Sequence, residues 1–319
     1  MSVNKITIEE FYDEADIKLL SHCTLCPREC NVDRFKGGTG YCRSDAGTNI
    51  ASVCIHRGEE PSISGPEGIC NIFFSGCNLR CSFCQNHEIS RPGSGFRNKA
   101  VDFDEALKSI TRILDRGIKA VGFVSPSHVV PQVKAIIKAL NSRGYKPVTV
   151  YNTNGYDKKE IIRNLVGLID VYLPDYKYAT GVIAKEFSDA DDYPEIVLKA
   201  LREMFYQKGS VLVTDDQGRV ENGILIRHLV LPGHVEESIK VLKTIAEEIS
   251  TGVNISLMSQ YHPTTYVSGH PVLGRALYTS EYGTVVKTMQ KLGFRNGWVQ
   301  DMDSHRNYRP DFRKENPFE

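Results

Sequence analysis

The sequence has no net charge, no long apolar run and, after residue 84, no cysteine. Thirty-nine Lys and Arg balance 39 Asp and Glu over 319 residues, which argues against a generic polyanion binder and makes nucleic acid an unpromising partner. No apolar stretch approaches membrane-spanning length, and the opening MSVNKITIEEFYDEADIKLL lacks the apolar core of an export signal, so a cytoplasmic protein with no membrane partner is expected. No internal repeat and no low-complexity linker interrupts the chain. What it does have is nine cysteines, all between Cys23 and Cys84. A disulfide framework normally serves a small exported domain; in a reducing compartment, cysteines clustered in this way point to metal ligation.

Residues 1–66 read as a loop-rich, cysteine-rich, metal-binding segment, with FKGGTG and GEEPSISGPEG as turn-forming stretches. A regular alternation follows. Short apolar runs at 70–74, 120–124, 147–151, 169–173, 224–231 and 253–258 read as buried parallel strands. Amphipathic helices are expected between or after them, at 102–117, 131–143, 157–166, 194–207, 236–250 and 282–292. Strand–helix units in series make an α/β protein, either an open doubly wound sheet or a (β/α)6 partial TIM barrel, over 67–300, with a tail at 301–319. In a barrel the active site gathers at the carboxyl ends of the strands. Unusual polar residues do follow each predicted strand: the cysteine loop, then SPSH (125–128), NTNGY (152–156), PDYK (174–177), PGH (232–234) and SQYH (259–262).

The loop after the first of these strands, FFSGCNLRCSFCQN, spaces Cys77, Cys81 and Cys84 as C-x3-C-x2-C. Three thiolates can hold three irons of a [4Fe–4S] cube and leave the fourth iron open to another ligand. The competing reading is a zinc site completed by a distant histidine, such as His87 or His128, although zinc sites usually pair their cysteines as two C-x2-C hairpins.

GCNLRCSFCQN resembles the signature of the radical S-adenosylmethionine (SAM) enzymes, in which C-x3-C-x-aromatic-C follows the first strand of a (β/α)6 partial barrel. The flanking residues resemble the branch that activates glycyl-radical enzymes. From CTLCPREC through GEEPSISG, YNTNGY, VYLPDYKY, HLVLPGH and SLMSQYHP to GFRNGWVQ, the chain is similar to pyruvate formate-lyase activating enzyme-like iron–sulfur proteins. The resemblance implies that Cys77, Cys81 and Cys84 are catalytic cluster ligands and that SAM docks on the open iron. Reductive cleavage would then yield methionine and a 5′-deoxyadenosyl radical for hydrogen abstraction. It further implies a protein or peptide substrate and reduced flavodoxin or ferredoxin as electron donor. The rival readings are a radical modifier of a peptide, nucleic acid or small metabolite, and a non-catalytic iron–sulfur or zinc protein.

The same resemblance nominates SAM contacts. Phe83 matches the aromatic residue near the adenine. The Gly-Gly-Glu type motif that holds the methionine amino group is absent; GFVSPSH stands there, leaving Ser125, Ser127 or backbone carbonyls to the role. Asn152 and Asn154 match a strand-end motif that contacts ribose or carboxylate, and a plain βα turn also favours Asn and Gly. Asp175 and Lys177 match a D-x-K element. Arg227 and His228 alternate, so one faces inward, and an inward arginine needs an anion for which the SAM carboxylate is one candidate. His262 matches a position beside the adenosyl group.

Cys23, Cys26, Cys30 and Cys42, spaced C-x2-C-x3-C-x11-C, can close a second metal site, either an auxiliary iron–sulfur cluster or a structural zinc. Cys54 and Cys70 read as small apolar core residues. HRGEEPSISG (56–65) either packs over the cluster or contacts substrate.

Overall fold

The computed structural model describes residues 5–91, 101–306, 310–314 and 316–318; parts of the expected tail, at 307–309, 315 and 319, lie outside the described residues. Six strands occupy the six predicted runs: β2 (Ile69–Phe74), β3 (Ala120–Val124), β4 (Val148–Thr153), β5 (Val171–Pro174), β7 (Val220–Leu229) and β8 (Asn254–Met258). They pair in parallel in that order. Their uniform apolar character follows from burial on both faces. Three strands were not foreseen. β1 (Ile50–His56) runs antiparallel to β2 inside the segment expected to be loop, the two-residue β6 (Val213–Thr214) flanks β7, and β9 (Asn296–Val299) adds a parallel edge beside β8. β1 and β9 stand at opposite ends of the strand order, so the sheet curls without closing.

The helices cover the outer face. α4 (Phe103–Leu114), α5 (Val130–Ser142), α6 (Lys159–Arg163), α8 (Tyr193–Lys208), α9 (Val235–Glu248) and α10 (Thr279–Lys291) answer the six expected helices. Their starts have physical causes: the Asp102 carboxylate accepts from the amide of Asp104, and Pro131 and Pro194 sit in first turns where a missing N–H costs nothing. The eight-residue helices α1 (Glu14–Ser21) and α7 (Gly181–Ser188) were not foreseen. α1 docks its buried Leu20 in the main core, and its Asp13 and Asp16 pair with Lys134 and Lys138 of α5. Among the described residues no helix is long and apolar enough to cross a membrane, and none of the nine cysteines is in a disulfide.

The loop between β1 and β2 carries the short helix α2 (Pro61–Ser64). Its Ile63 joins Ile69, Val150, Val171, Leu173 and Leu225 in an apolar layer inside the curl of the sheet, separate from the outer core. That layer plugs one end of the half-barrel, and polar side chains stand above it.

The ends of β7 and α10 are tied by Glu281. It takes a bidentate pair from Arg275 (2.7 and 2.8 Å) and the amides of Gly233 and Tyr278. The Arg275 hydrogen bonds, outweighing burial, hold its carboxyl down at about 2. A depressed folded value means the contribution is fully present above the ordinary glutamate range near 4.5 and is lost as pH falls toward 2. Glu281→Gln is therefore expected to cost about 1 kcal/mol near neutrality. The gap to wild type should narrow between pH 4.5 and 2 in urea unfolding curves.

Candidate active site

A cavity of about 780 Å³ opens at the carboxyl ends of the parallel strands. On one rim stand Cys77, Cys81, Cys84 and Phe83, all on the loop that leaves β2. That loop is pinned from several sides. The amides of Arg80 and Ser82 donate to the carbonyls of Ser188 and Phe187 at the end of α7, and Thr264 Oγ1 donates to the carbonyl of Ser82. At Gly76 (φ +80°) an added Cβ would lie 2.1 Å from the carbonyl oxygen of Cys42, so only glycine lets the amino-terminal segment pass directly against this loop.

The three sulfurs are already addressed by donors. Asn154 Nδ2 and the amide of Leu79 point at Cys77 Sγ (both 3.4 Å), Ser188 Oγ donates to Cys81 Sγ (3.0 Å), and Ser90 Oγ lies 3.4 Å from Cys84 Sγ. Such donors stabilise thiolates. Burial, with Cys81 next, pushes the Cys77 thiol up to about 12; burial raises Cys81 too, against the nearby Lys177 ammonium. Loading a metal centre here must therefore displace protons. Among the described residues no three His, Cys, Asp or Glu side chains are grouped to chelate a single ion. The fit to an iron–sulfur cluster rests on the donor set: three soft sulfurs on one loop, hydrogen-bond donors behind them and a lysine beside them.

From this rim a polar chain runs to the cavity floor. Lys177 Nζ pairs with Asp175 Oδ2 (2.6 Å), and Arg227 Nε pairs with Asp175 Oδ1 (2.9 Å). Arg227 continues to Asn152 Oδ1 (2.6 Å) and Glu59 Oε2 (3.3 Å), while Glu59 Oε1 accepts from Asn71 (2.9 Å) and Asn152 (3.2 Å). Burial would raise the Asp175 carboxyl, but Arg227 and Lys177 outweigh it and hold it below the ordinary range. Gly122 is required by this chain, because a Cβ there would meet Asn71 Oδ1 at 2.1 Å and block its reach to Glu59.

Of the nominated SAM contacts, Phe83, Ser125, Asn152, Asn154, Asp175, Lys177 and Arg227 all line the cavity. Ser125 does so from a left-handed backbone conformation (φ +53°), a strain of about 1 kcal/mol typical of functional turns. Arg227 is the inward member of its pair, as alternation requires, while buried His228 donates from Nδ1 to the carbonyl of Tyr176 (2.7 Å). The expected anion for Arg227 needs correction: Asp175 and Glu59 of the protein supply it, so no ligand carboxylate is required. Two nominated residues lie elsewhere. Ser127 is buried against Thr153 Oγ1 (2.9 Å), beside the Thr153 and Tyr151 hydroxyls that bind Asp157. His262 does not border the cavity; its carbonyl receives Gln85 Nε2 (2.9 Å), and Gln260 of the same loop reaches the cavity instead. His128, weighed as a zinc ligand, is fully buried and bonded at Nε2 to the carbonyl of Ser75.

The amino-terminal cysteines sit behind the loop. Cys23, Cys26 and Cys42 are buried around Arg34, itself 2% exposed, which donates to Cys23 Sγ (3.2 Å), Cys42 Sγ (3.4 Å) and the carbonyl of His128. Cys30 is half-buried and its sulfur accepts from the amide of Tyr41 (3.3 Å). Glu59 and Glu60 of the floor fall in HRGEEPSISG, which the sequence marked only as a stretch, while Ser256 and the Ser188 hydroxyl on Cys81 were missed.

The family model of the radical SAM superfamily matches residues 71–245, from β2 into α9. The chain belongs to the radical SAM superfamily. It is a radical SAM enzyme, similar to activating enzymes, and membership implies a [4Fe–4S] cluster and SAM. A pyruvate formate-lyase-activating enzyme of Clostridium pasteurianum is 27% identical over 213 residues, covering 63% of this chain and 78% of that one. An uncharacterized protein of Methanocaldococcus jannaschii is 27% identical over 278 residues, covering 86% and 75%. Among solved structures, a domain of pyruvate-formate lyase-activating enzyme from Bacteroides vulgatus ATCC 8482 aligns with 12% identity over 54% of this chain and 93% of that one, at TM-score 0.39. Streptococcus suis SuiB bound to S-adenosylmethionine aligns with 16% identity over 71% and 48%, at TM-score 0.44.

Proposed function

We propose that this radical SAM enzyme holds a [4Fe–4S] cluster on Cys77, Cys81 and Cys84 and abstracts hydrogen from a protein or peptide. When bound, the cluster supplies the electron that splits the sulfonium carbon–sulfur bond of SAM into methionine and a 5′-deoxyadenosyl radical. The observation that carries this reading is that three cysteines of one loop border the same cavity as Phe83, Asn154, Asp175 and Lys177. In that arrangement Lys177 neutralises negative charge at the rim, Asn154 and Ser188 hold sulfurs in orientation, and Phe83 covers the site with apolar surface against water. The match to an activating enzyme favours a macromolecular substrate, with reduced flavodoxin or ferredoxin delivering the electron.

Full-length protein reconstituted anaerobically with iron and sulfide, reduced with dithionite and given SAM is expected to form 5′-deoxyadenosine and methionine in equal amounts. Normal cluster loading with no nucleoside product overturns the reading.

Cys23, Cys26, Cys30 and Cys42 are proposed as a second metal centre, iron–sulfur or zinc. A buried guanidinium directed at Cys23 and Cys42 is best compensated when those sulfurs are thiolates, as they are when metal-bound. The double variant C23A/C26A is expected to lose one centre while keeping the visible absorbance of the other. Iron and zinc analysis beside wild type identifies the metal, and an unchanged metal content rejects the second site.

A further inference from the structure

The end of the cavity farthest from the cysteines is built as carefully as the rim, and the reactions above leave it without a task. Contacts run inward from Cys81 through Lys177, Asp175 and Arg227 to Glu59, and the next residue, Glu60, stands at the start of α2 on top of the apolar plug. Glu60 is only 8% exposed and borders the cavity, yet its Oε2 has no hydrogen-bond partner among the described residues. His56, at the end of β1, is 7% exposed and borders the same cavity beside Phe318, with Nδ1 unpartnered among the described residues. Two unmet buried polar atoms on the wall of one cavity, one an acidic oxygen, ask for a ligand rich in donors.

Charge narrows the class. Arg227 and Lys177 are already matched by Asp175 and Glu59, so an ionised Glu60 is an unbalanced negative charge in a buried place. The groups facing it are Glu59 of its own loop, Arg227 of β7, the hydroxyl of Ser256 on β8 and His56 of β1. Arg57 borders the cavity from an exposed position. Burial first, then Glu59, push the Glu60 carboxyl up against the pull of Arg227, and burial keeps the His56 ring neutral. A guest that brings one positive charge balances the recess once Glu60 ionises.

We infer that this recess is the substrate subsite and that it takes a cationic nitrogen, an alkylammonium or a guanidinium, on Glu60 and His56. The inference rests on the proposed radical chemistry at the opposite rim. The donor N–H groups of the guest meet Glu60 Oε2 and His56 Nδ1, and the carboxylic proton of Glu60 leaves to solvent as the ion pair forms.

Calorimetric titration of the reconstituted full-length protein tests it, with Nα-acetyl-lysine methylamide, n-butylamine and the uncharged Nα-acetyl-norleucine methylamide as probes. Each titration is run at pH 7 in two buffers of different ionisation enthalpy. At least one cationic probe is expected to bind about tenfold or more tighter than the norleucine compound and to release a proton. Preference for the lysine compound over n-butylamine assigns the cation to a peptide, and the reverse assigns it to a small amine. Glu60→Gln is expected to weaken the cationic probe by about tenfold and to abolish proton release. The inference is overturned if norleucine binds wild type equally well, if no cationic probe binds, if binding releases no proton, or if a folded E60Q binds like wild type. Should E60Q fail to fold, the wild-type arms alone decide. SAM cleavage by the same wild-type preparation is measured in parallel: cleavage without cationic preference sinks only this inference, whereas cationic binding without cleavage sinks only the proposed reaction.

Discussion

Cys81→Ala is expected to abolish 5′-deoxyadenosine formation outright and to remove the visible absorbance of the cluster on the β2 loop. With two thiolates left on that loop, the cube would lose a corner that neither Ser188 nor Lys177, both beside Cys81, can supply, since neither is a soft ligand. Cys77→Ala and Cys84→Ala should behave alike. Ser188→Ala provides the informative contrast. It deletes the donor 3.0 Å from Cys81 Sγ and leaves the Tyr178 hydroxyl, 2.6 Å from Ser188 Oγ, without that partner. A supporting hydrogen bond of this kind is worth about 10–100-fold in metal affinity, so S188A should load cluster but lose it faster to a chelator. Iron release and nucleoside yield, measured side by side, separate the two cases. A Cys81→Ala protein that still forms the nucleoside would remove the cluster loop from the reaction.

Arg227→Met should be the most destabilising single change inside the barrel. Arg227 is the common partner of Asp175, Glu59 and Asn152, and removing it leaves Glu59 without its cation and Asp175 with Lys177 alone. Breaking a buried ion pair in this one-sided way costs about 3–5 kcal/mol. Neutralising Glu59 as well, as in Arg227→Met with Glu59→Gln, should recover much of the loss, because the remaining Lys177–Asp175 pair is then balanced. The pH dependence gives a second reading. In wild type Asp175 is held below its ordinary range, so its contribution is present above about pH 4 and is lost as pH falls further. In R227M burial is unopposed except by Lys177, Asp175 titrates higher, and the variant should gain stability relative to wild type as pH is lowered from 7 to 5. Urea midpoints of the full-length proteins at the two pH values check the sign; equal losses at both would mean that packing, not charge, sets the cost.

The parallel strands and their helices were legible because both signals are local. A strand buried on both faces must be apolar throughout, as ICNIFF in β2 is, and a covering helix must be striped, as α4 is. The cysteine loop was legible for a different reason, since no packing requirement would space three thiols as they stand at Cys77, Cys81 and Cys84. What could not be read was anything set by distant partners. β1 and β9 are edge strands whose mixed burial shows no clean alternation, and their pairing is decided by neighbours far along the chain. Arg227 was correctly expected to need an anion, but the answer, Glu59, lies 168 positions earlier. The signal was present as two adjacent glutamates ahead of a short apolar turn, yet only the fold brings them to the floor. Ser127 illustrates the opposite error: a hydroxyl at a strand end can turn into a buried network with Thr153 as easily as toward the cavity.

The failure of the sheet to close has a consequence for what can be admitted. β1 and β9 do not meet, and the residues at their ends, His56 and Arg57 on one side and Val299 and Gln300 on the other, border the same cavity. A complete ring would accept only a thread offered by its tip. Here Phe312 and Phe318 of the carboxyl-terminal segment stand on the β1 side, Phe312 against Phe73 and Phe318 on the His56 ring (3.9 Å between centroids), so a guest entering past His56 must first displace them.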